Sequence, residues 1–439
     1  MKDEFDKIIE NSIGKDSLDK ILGIPNNDVK WDVGKHGEKL KTINNVIAFL
    51  KTDPDLIDLF KLNLFTGCIE LSRKPVWENN RDKGSLLEDD DITMLECYLS
   101  MKYHWDINTT SVFKGVVFAA KECSYHPVKN YLESLTWDKT PRMNSWLIDY
   151  AGAEDNDYTK AVSQKFLLAA ISRIMRPGCK FDHMVILEGA QGIGKSTMCG
   201  VLGGEWYKEL SLFSERDKDT VDAMRGVWIA EVSELANFKR AEVEGVKAFI
   251  SRQVDRVRLS YARLTQNFPR QCVFIGTINP DDDGYLKDKT GNRRFWPVAC
   301  TKSDFNGLGL VRDQIWAEAY ATFKNGGFKL WMEGEQLTQA MNAQKEREIT
   351  EPWTETIESW LSNPENANGP HTSMEIALGA LELDPAKVGQ WEKTRIAQAM
   401  KELGWVNKKI RIDSKRTARK YVKAQNEVLN GRIVPGWDE

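Results

Sequence analysis

One segment constrains the fold of this chain more than any other. It reads GAQGIGKS over residues 189–196 and fits the pattern G-x-x-x-x-G-K-[ST], which is typical of loops that bind phosphate groups. A short apolar run, residues 184–187, precedes this loop, and a helix-compatible run begins at Ser196. A buried strand, a glycine-rich turn and a helix in this order predict an α/β fold of the P-loop NTPase class.

The residue types of this loop suit a bound nucleoside triphosphate. Glycines let backbone N–H groups approach the phosphates, and the N-terminus of the following helix adds partial positive charge. We expect Lys195 to neutralise the β- and γ-phosphates of ATP, and Ser196 to place its hydroxyl on Mg²⁺. Thr197 is a candidate ligand of the α-phosphate. The predicted nucleotide-binding residues are Gly189, Ala190, Gln191, Gly192, Ile193, Gly194, Lys195, Ser196 and Thr197.

Two further apolar runs end in polar side chains, as the catalytic strands of NTPases do. Residues 227–230 lead into Glu231, and we expect this strand to lie beside the phosphate loop and to bring Glu231 to the metal ion. Glu234 follows three residues later, either as the water-activating base or as a surface residue, so the roles of the two glutamates stay open. Residues 272–277 lead to Asn279, which is either a group that positions the attacking water or a plain turn residue before proline.

The chain is long enough for several domains, since it has 439 residues and domains usually hold roughly 100–200. Helical apolar spacing predicts an α-helical N-terminal region over residues 1–125. A nucleotide-binding core with a helical lead-in follows over residues 126–362, and a small domain over residues 373–439. Residues 363–372, rich in Asn, Pro and Gly, are the predicted linker.

Three consecutive carboxylates, residues 89–91, stand out within the helical N-terminal region. They could suggest a metal site. They also suit the start of a helix, where acidic side chains cap free N–H groups and interact favourably with the helix dipole. We interpret them as a helix start.

Composition excludes several other classes of protein. The formal net charge is −4, so nucleic-acid binding would have to come from local patches. No apolar run approaches the ~18–20 residues of a membrane span. The seven cysteines are widely spaced and none forms a CxxC pair, which favours reduced thiols in a cytoplasmic protein over a zinc site.

The motifs taken together resemble those of one family, the virulence-associated E family. The resemblance covers residues 126–300 and rests on the segments YLESLTWDKTPR, RPGCKFD, LEGAQGIGKST, FISRQVDRVRLSYAR, FPRQCVFIGTIN and YLKDKTGNRRFWPV. The family comprises replication proteins of phages and genomic islands with an AAA+-type, superfamily 3-like helicase core. The resemblance therefore implies an ATP- and Mg²⁺-dependent DNA helicase that assembles into a ring, expected to be hexameric. Many relatives carry an upstream primase domain, for which residues 1–120 are too short and too helical.

The resemblance also implies a DNA-gripping β-hairpin in front of the strand that ends at Asn279. In superfamily 3 helicases such a hairpin projects into the central pore. Tyr261 would offer a stacking face there, and the alternative is a charged hairpin on the surface. The candidate DNA-binding residues of this hairpin are Arg252, Arg256, Arg258 and Arg263.

Two adjacent arginines, Arg293 and Arg294, are the candidate arginine fingers. A finger from a neighbouring subunit would stabilise charge that develops on the γ-phosphate, and this role requires an oligomer. Phosphate sensing within the same subunit, or a structural ion pair, is the alternative for each.

The C-terminal segment is basic although the whole chain is acidic. Short predicted helices followed by an alternating basic stretch are similar to a winged helix, with residues 393–403 as the recognition helix and residues 408–421 as the wing. We expect Trp391 and Trp405 to belong to its core. The charges would contact DNA phosphates, or they form a solvated basic face. The candidate residues are Lys408, Lys409, Arg411, Lys415 and Arg416.

Two functions account for this set of motifs. The first is an ATP-driven DNA helicase or replication initiator of a phage or mobile genetic island. The second is a DNA-binding protein that uses ATP as a switch for assembly on an origin and does not unwind DNA. A P-loop kinase fits less well, because the arginine-rich segment, Asn279 and the basic C-terminus have no role in a small-molecule phosphotransferase.

Overall fold

The chain folds into two compact units. The first comprises Met1–Pro280 with Thr290–Lys345, and the second comprises Asp281–Lys289 with Glu346–Glu439. Within the described residues, no helix combines the length and the apolar character that crossing a membrane requires. The computed structural model describes residues 31–78, 81–210, 217–233, 240–258, 264–279, 285–286, 291–348, 353–411, 417–424, 427–429 and 432–434.

The N-terminal part of the first unit has its own apolar cluster. Helices α1 and α3 pack so closely that a Cβ on Gly115 would lie 2.4 Å from Cγ1 of Val46. Phe49, Leu56 and Leu95 are buried in the same cluster. The elements of this part are α1 (Ile43–Thr52), β1 (Phe60–Asn63), β2 (Cys68–Leu71), α2 (Asp89–Tyr103) and α3 (Thr109–Glu122).

Helical spacing up to residue 123 predicted no strands, and this prediction is wrong for β1 and β2, which form an antiparallel hairpin. The side-chain oxygen of Asn63 accepts hydrogen bonds from the N–H groups of Phe65 and Thr66. Gly67 closes the turn with a φ of +69°, a conformation that favours glycine. A local turn thus overrides the helical period of the surrounding apolar residues.

The acidic run at residues 89–91 begins helix α2, as the sequence predicted. Asp91 accepts a hydrogen bond of 2.8 Å from the backbone N–H of Glu88. It also accepts from the indole of Trp77 and forms an ion pair of 3.2 Å with Arg81. These carboxylates therefore cap a helix.

A central helix of the first unit supports the sheet. Helix α6 is buried along most of its length, and Val162, Phe166 and Ile171 belong to the largest apolar cluster. It follows two shorter helices and ends at the turn that contains Pro177 and Gly178. The helices of this lead-in are α4 (Pro127–Ser134), α5 (Trp146–Ala151) and α6 (Asp157–Met175).

The core contains a five-stranded parallel sheet with the strand order β4-β5-β8-β3-β9. This α/β arrangement confirms the coarse fold prediction. Strand β8, which is fully buried, lies between β3 and β5. The elements are β3 (Met184–Glu188), α7 (Lys195–Gly203), β4 (Tyr207–Glu209), α8 (Asp217–Ala223), β5 (Ile229–Val232), α9 (Arg240–Ile250), β8 (Val273–Ile278), β9 (Phe295–Ala299), α10 (Phe305–Asn325) and α11 (Gly334–Glu346).

A separate antiparallel hairpin precedes β8. Its strands are β6 (Val254–Val257) and β7 (Gln266–Pro269). Buried Arg270 follows β7 and contacts Asp255 of β6 through two hydrogen bonds of 2.6 and 2.9 Å. Its guanidinium also lies 4.3 Å from the ring centroid of Phe249, at the end of α9. A buried ion pair therefore fixes the base of the hairpin against the core.

The second unit combines helices with a long hairpin. Ile357 and Leu361 pack in one apolar cluster with Ile376 and Met400, so the predicted linker, residues 363–372, lies inside this unit. Its turns include a bond from the N–H of Asn366 to the carbonyl of Asn363. The elements are α12 (Trp353–Leu361), α13 (Ser373–Gly379), α14 (Gln390–Glu402), β10 (Trp405–Arg411), β11 (Thr417–Lys423), β12 (Glu427–Leu429) and β13 (Arg432–Val434).

The two tryptophans expected in the core of this unit differ in burial. Trp405 is buried, as predicted. Trp391, in the first turn of α14, is 64% exposed, so that prediction is wrong. Arg395 lies one helical turn further on, with its guanidinium 4.6 Å from the Trp391 ring and 3.7 Å from that of Trp353. The guanidinium of Arg395 therefore covers one face of the Trp391 ring, where a buried tryptophan would have apolar neighbours.

Candidate functional site

The glycine-rich loop that the sequence predicts to bind phosphate connects β3 to α7 and depends on its glycines. Gly192 and Gly194 have φ values of +80° and +96°, which residues with a Cβ rarely adopt. A Cβ on Gly189 would lie 2.6 Å from the carbonyl oxygen of Cys300. The hydroxyl of Ser303 donates to the carbonyl of Gly194. The conformation of the loop is therefore fixed by its glycines and by contacts with Cys300 and Ser303, in the segment that follows β9.

Lys195 stands at the centre of the loop and is almost fully buried. Its ammonium group donates to the carbonyl oxygens of Gly189 and Ala190 at 2.7 and 2.9 Å, and to Oδ1 of Asn279 at 2.9 Å. Burial lowers the pKa of Lys195, while nearby Glu231 favours its charged form. The structure thus brings together two residues that the sequence placed 84 positions apart.

Glu231 is fully buried and is held by three hydroxyl groups. Its Oε1 accepts hydrogen bonds of 2.6 Å from Oγ of Ser196 and from Oγ1 of Thr277, and its Oε2 accepts one from Tyr207. Although β5 does not neighbour β3, parallel strands end at one edge of the sheet, so Glu231 and Ser196 meet there. A hydroxyl and a carboxylate are oxygen ligands of the kind that Mg²⁺ prefers, and this pair therefore fits that ion.

A cavity of about 410 Å³ opens beside these side chains. Its volume falls within the range of ordinary ligand pockets, roughly 300–1,000 Å³. Asn279, which directly follows β8, lies in the wall of this cavity. The lining residues are Gln191, Gly192, Gly194, Lys195, Ser196, Thr197, Glu209, Ser233, Thr277, Ile278 and Asn279.

Several residues of this site escaped the sequence analysis, among them two that bond to Glu231. Thr277 was placed on its strand without a role, yet its hydroxyl binds Glu231. Tyr207 and Glu209 belong to β4, a strand of three residues that was too short to predict. Burial and the bond to Glu231 raise the pKa of Tyr207, so its phenol is a firm hydrogen-bond donor. Glu209 pairs in register with Glu231 and adds a second carboxylate to the cavity wall.

The two candidate arginine fingers lie in a 3₁₀ turn, Asn292–Arg294, before β9. Arg294 is half-buried, and its Nε donates to the hydroxyl of Ser251 at 2.7 Å. The Arg293 side chain is exposed, while its carbonyl oxygen lies 3.1 Å from Nδ1 of His183. Neither arginine is among the described residues that line the cavity of the same chain.

The hairpin β6–β7 carries the candidate DNA-binding arginines on or beside β6. Arg256 and Arg258 are exposed. Arg252 is partly exposed and lies 3.7 Å from Asp255. Glu234, Tyr261 and Arg263 lie outside the described residues.

In the second unit, basic side chains share one face of the hairpin β10–β11. Lys409 lies directly opposite Arg419, and Arg411 lies opposite Thr417 on the same side. All four are exposed, whereas Lys408 points to the other face and is partly buried. Like charges directly across a strand pair destabilise it, so this face favours an anionic partner. The other two candidates, Lys415 and Arg416, lie outside the described residues.

Comparison with known proteins identifies one family. Residues 132–349 match the model of the virulence-associated protein E-like domain. No curated protein matches the chain. The solved structures that resemble it include the apo structure of the NrS-1 C-terminal region (305–718), with 12% identity, a TM-score of 0.47, and coverage of 83% of this chain and 95% of that one. The A form of the apo NrS-1 C-terminal region gives 11% identity, a TM-score of 0.46, and coverage of 83% and 96%.

Proposed function

Since this chain belongs to the family of virulence-associated protein E-like proteins through residues 132–349, we propose that it is an ATP-dependent DNA helicase or replication initiator of a phage or mobile genetic island. The observation that carries this proposal is the convergence of Lys195, Ser196, Glu231 and Asn279 at one edge of the parallel sheet. These are the groups that hydrolysis of a nucleoside triphosphate requires, namely a phosphate-binding cation, metal ligands and a polar group for water.

In this proposal the loop residues bind the phosphates of ATP. Backbone N–H groups of residues 189–194 surround the β-phosphate, and Lys195 exchanges its carbonyl acceptors for phosphate oxygens. Ser196 and Glu231 would hold Mg²⁺, which neutralises charge on the β- and γ-phosphates when bound. Asn279 orients water, and Glu231 or Glu234 accepts its proton. The hydrogen bond between Ser196 and Glu231 supports the metal-binding role for Glu231 in this proposal, with Glu234 as the base.

DNA would be bound by the two basic surfaces of the chain. Arg256 and Arg258 would contact the backbone of a single strand in the pore of a ring, expected to be a hexamer. In the second unit, Lys409 and Arg411 would contact phosphates of a duplex, as the wing of a winged helix does. An AAA+-type ring of the superfamily 3 kind would place one subunit's arginine at its neighbour's ATP.

An ATP-dependent switch that assembles on an origin without unwinding is the second candidate. It would use the same nucleotide site and the same basic hairpin. The basic face on which Lys409 lies directly opposite Arg419 suits duplex binding, which recognition of an origin requires of a switch as well as of a helicase. Strand displacement separates the two functions.

The test is displacement of a labelled strand from a forked duplex with ATP and Mg²⁺. We expect displacement by the wild type and none by Lys195→Ala, whose ATP hydrolysis should fall by about 10²–10³-fold because a charged phosphate ligand is lost. Lys114→Ala, which removes an exposed lysine of α3, is the matched control and should behave as wild type.

Two outcomes would contradict parts of the proposal. A Lys195→Ala protein that hydrolyses ATP at the wild-type rate would remove the assignment of the nucleotide site. A wild type that hydrolyses ATP and binds DNA, but displaces no strand from forks with either a 5′ or a 3′ tail, would favour the switch.

A further inference from the structure

The strand β4 places a tyrosine against the carboxylate of the site. Tyr207 is the first residue of β4, which runs parallel to β5 and pairs Tyr207 with Ile229 and Glu209 with Glu231. The Tyr207 hydroxyl donates to Oε2 of Glu231. The other oxygen, Oε1, accepts from Ser196 and from Thr277. The two carboxylate oxygens are therefore held from two sides.

The same helix that carries Lys195 and Ser196 also makes room for the tyrosine ring. A Cβ on Gly200 of α7 would lie 3.6 Å from two carbons of that ring, which is ordinary contact. A Cβ on Gly203 would lie only 2.7 Å from Cβ of Tyr207 and 3.1 Å from Cβ of Ile229. Glycine at position 203 thus lets β4 approach α7 closely enough for the hydroxyl to reach Glu231.

We propose that Tyr207 is a positioning residue for Glu231, which orients the carboxylate so that Oε1 faces Ser196 at the metal side of the site. A buried carboxylate with one unbonded oxygen rotates or admits water to recover the lost hydrogen bond. Rotation moves Oε1 away from Ser196, and a mobile water holds Oε2 less firmly than the tyrosine does. This inference rests on the proposed Mg²⁺-dependent binding of ATP. It adds a residue that orients Glu231, the proposed metal ligand, without itself contacting the nucleotide.

The test separates metal-dependent from metal-independent nucleotide binding. Binding of a fluorescent, non-hydrolysable ATP analogue is measured in EDTA and then across a titration of Mg²⁺. We expect Tyr207→Phe to keep the wild-type affinity in EDTA and to raise the half-saturating Mg²⁺ concentration by about tenfold, as the loss of a hydrogen bond behind a metal ligand usually does. The ring remains in Tyr207→Phe, so its packing against Gly200 and Gly203 is retained.

Tyr125→Phe is the matched control, because its hydroxyl also donates to a carboxylate, that of Glu70 in the N-terminal part. It should leave both measurements unchanged. A second variant, Gly203→Ala, keeps the hydroxyl but pushes the tyrosine off the helix, and should show the same split between EDTA and Mg²⁺. Thermal melting of each variant shows whether it is folded.

The outcomes distinguish this inference from the proposed function. A wild-type half-saturating Mg²⁺ concentration in folded Tyr207→Phe would overturn the positioning role alone. Equal loss of affinity with and without Mg²⁺ would also overturn it, since a merely structural defect affects both. A wild type that binds no nucleotide under either condition would overturn the proposed function, and the positioning role with it.

Discussion

The charge on Glu231 is the residue-scale feature on which the site depends. Three hydroxyl groups donate hydrogen bonds to this fully buried carboxylate, and no lysine or arginine of the described residues forms an ion pair with it. Lys195 interacts electrostatically with Glu231, but it donates its hydrogen bonds to carbonyl and amide oxygens. Such a carboxylate is preorganised to receive a cation from solution.

Replacement of Glu231 by glutamine therefore provides a sharp test. Glu231→Gln keeps the shape of the side chain but removes the charge, and we expect ATP hydrolysis to fall by about 10²-fold, since a metal ion supplies several kcal/mol of charge stabilisation. Hydrolysis would be measured beside Glu234→Gln and Glu209→Gln. If Glu231→Gln keeps the wild-type rate and only Glu234→Gln loses activity, Glu231 does not hold the metal ion.

The sequence predicted site residues that follow one another in a motif, and it missed site residues that lie outside any motif. The glycines, Lys195 and Ser196 follow one another in a single loop, so their pattern is visible in the chain. Tyr207 lies 24 positions from the carboxylate that it binds, on a strand of three residues. In the sequence, Tyr207 cannot be told from any half-buried aromatic residue. Only the packing of Tyr207 against Gly203 in the structure shows that its hydroxyl points to Glu231.

At the scale of elements, the hairpin β6–β7 depends on one buried ion pair. Arg270 and Asp255 are both almost fully buried and bind through two hydrogen bonds. We expect Asp255→Asn to lower the free energy of unfolding by about 3–5 kcal/mol, because it leaves an uncompensated buried guanidinium. Chemical denaturation followed by tryptophan fluorescence measures this loss.

Asp155→Asn is the matched control, because Asp155 pairs with Lys160 on the surface and water solvates both partners. It should leave the unfolding curve nearly unchanged. Equal curves for the wild type and Asp255→Asn would show that the base of the hairpin adds little to the stability of the unit. Other contacts would then have to hold the hairpin in place when its arginines bind DNA.

Elements with a strong local signal were predicted better than their arrangement. Strands β3, β5 and β8 were predicted to within two residues, because each is a continuous apolar run. Their order was not, since no local pattern records that β8 inserts between β3 and β5. The hairpin β1–β2 was missed because its apolar residues also fit a helical period, and a side-chain bond at Asn63 decides between the two.

At the scale of the whole molecule, the two candidate fingers differ in what holds them. Arg294 is committed within its own chain, where its Nε donates to Ser251 beside the hairpin. Arg293 extends from the same turn into solvent. In a ring, an exposed arginine can reach the ATP of a neighbour without breaking an existing hydrogen bond. The geometry therefore favours Arg293 as the finger and Arg294 as a support of the turn.

Mixing two inactive proteins tests this distinction. Arg293→Ala removes the finger and Lys195→Ala removes the phosphate ligand, so a mixed ring has interfaces in which an intact loop meets an intact finger. An arginine finger contributes on the order of 10³–10⁵ in rate in well-studied NTPases, so even a small share of such interfaces raises ATP hydrolysis well above that of either protein alone. Arg294→Ala would weaken the turn that carries Arg293, so we expect it to lose less activity alone and to recover in the same way when mixed with Lys195→Ala. Failure of the Arg293→Ala mixture to recover, with co-assembly shown by cross-linking, would place the arginine in its own subunit's chemistry. A large loss of activity in Arg294→Ala beside a small loss in Arg293→Ala would mean that the two arginines exchange roles and that the bond to Ser251 breaks on assembly.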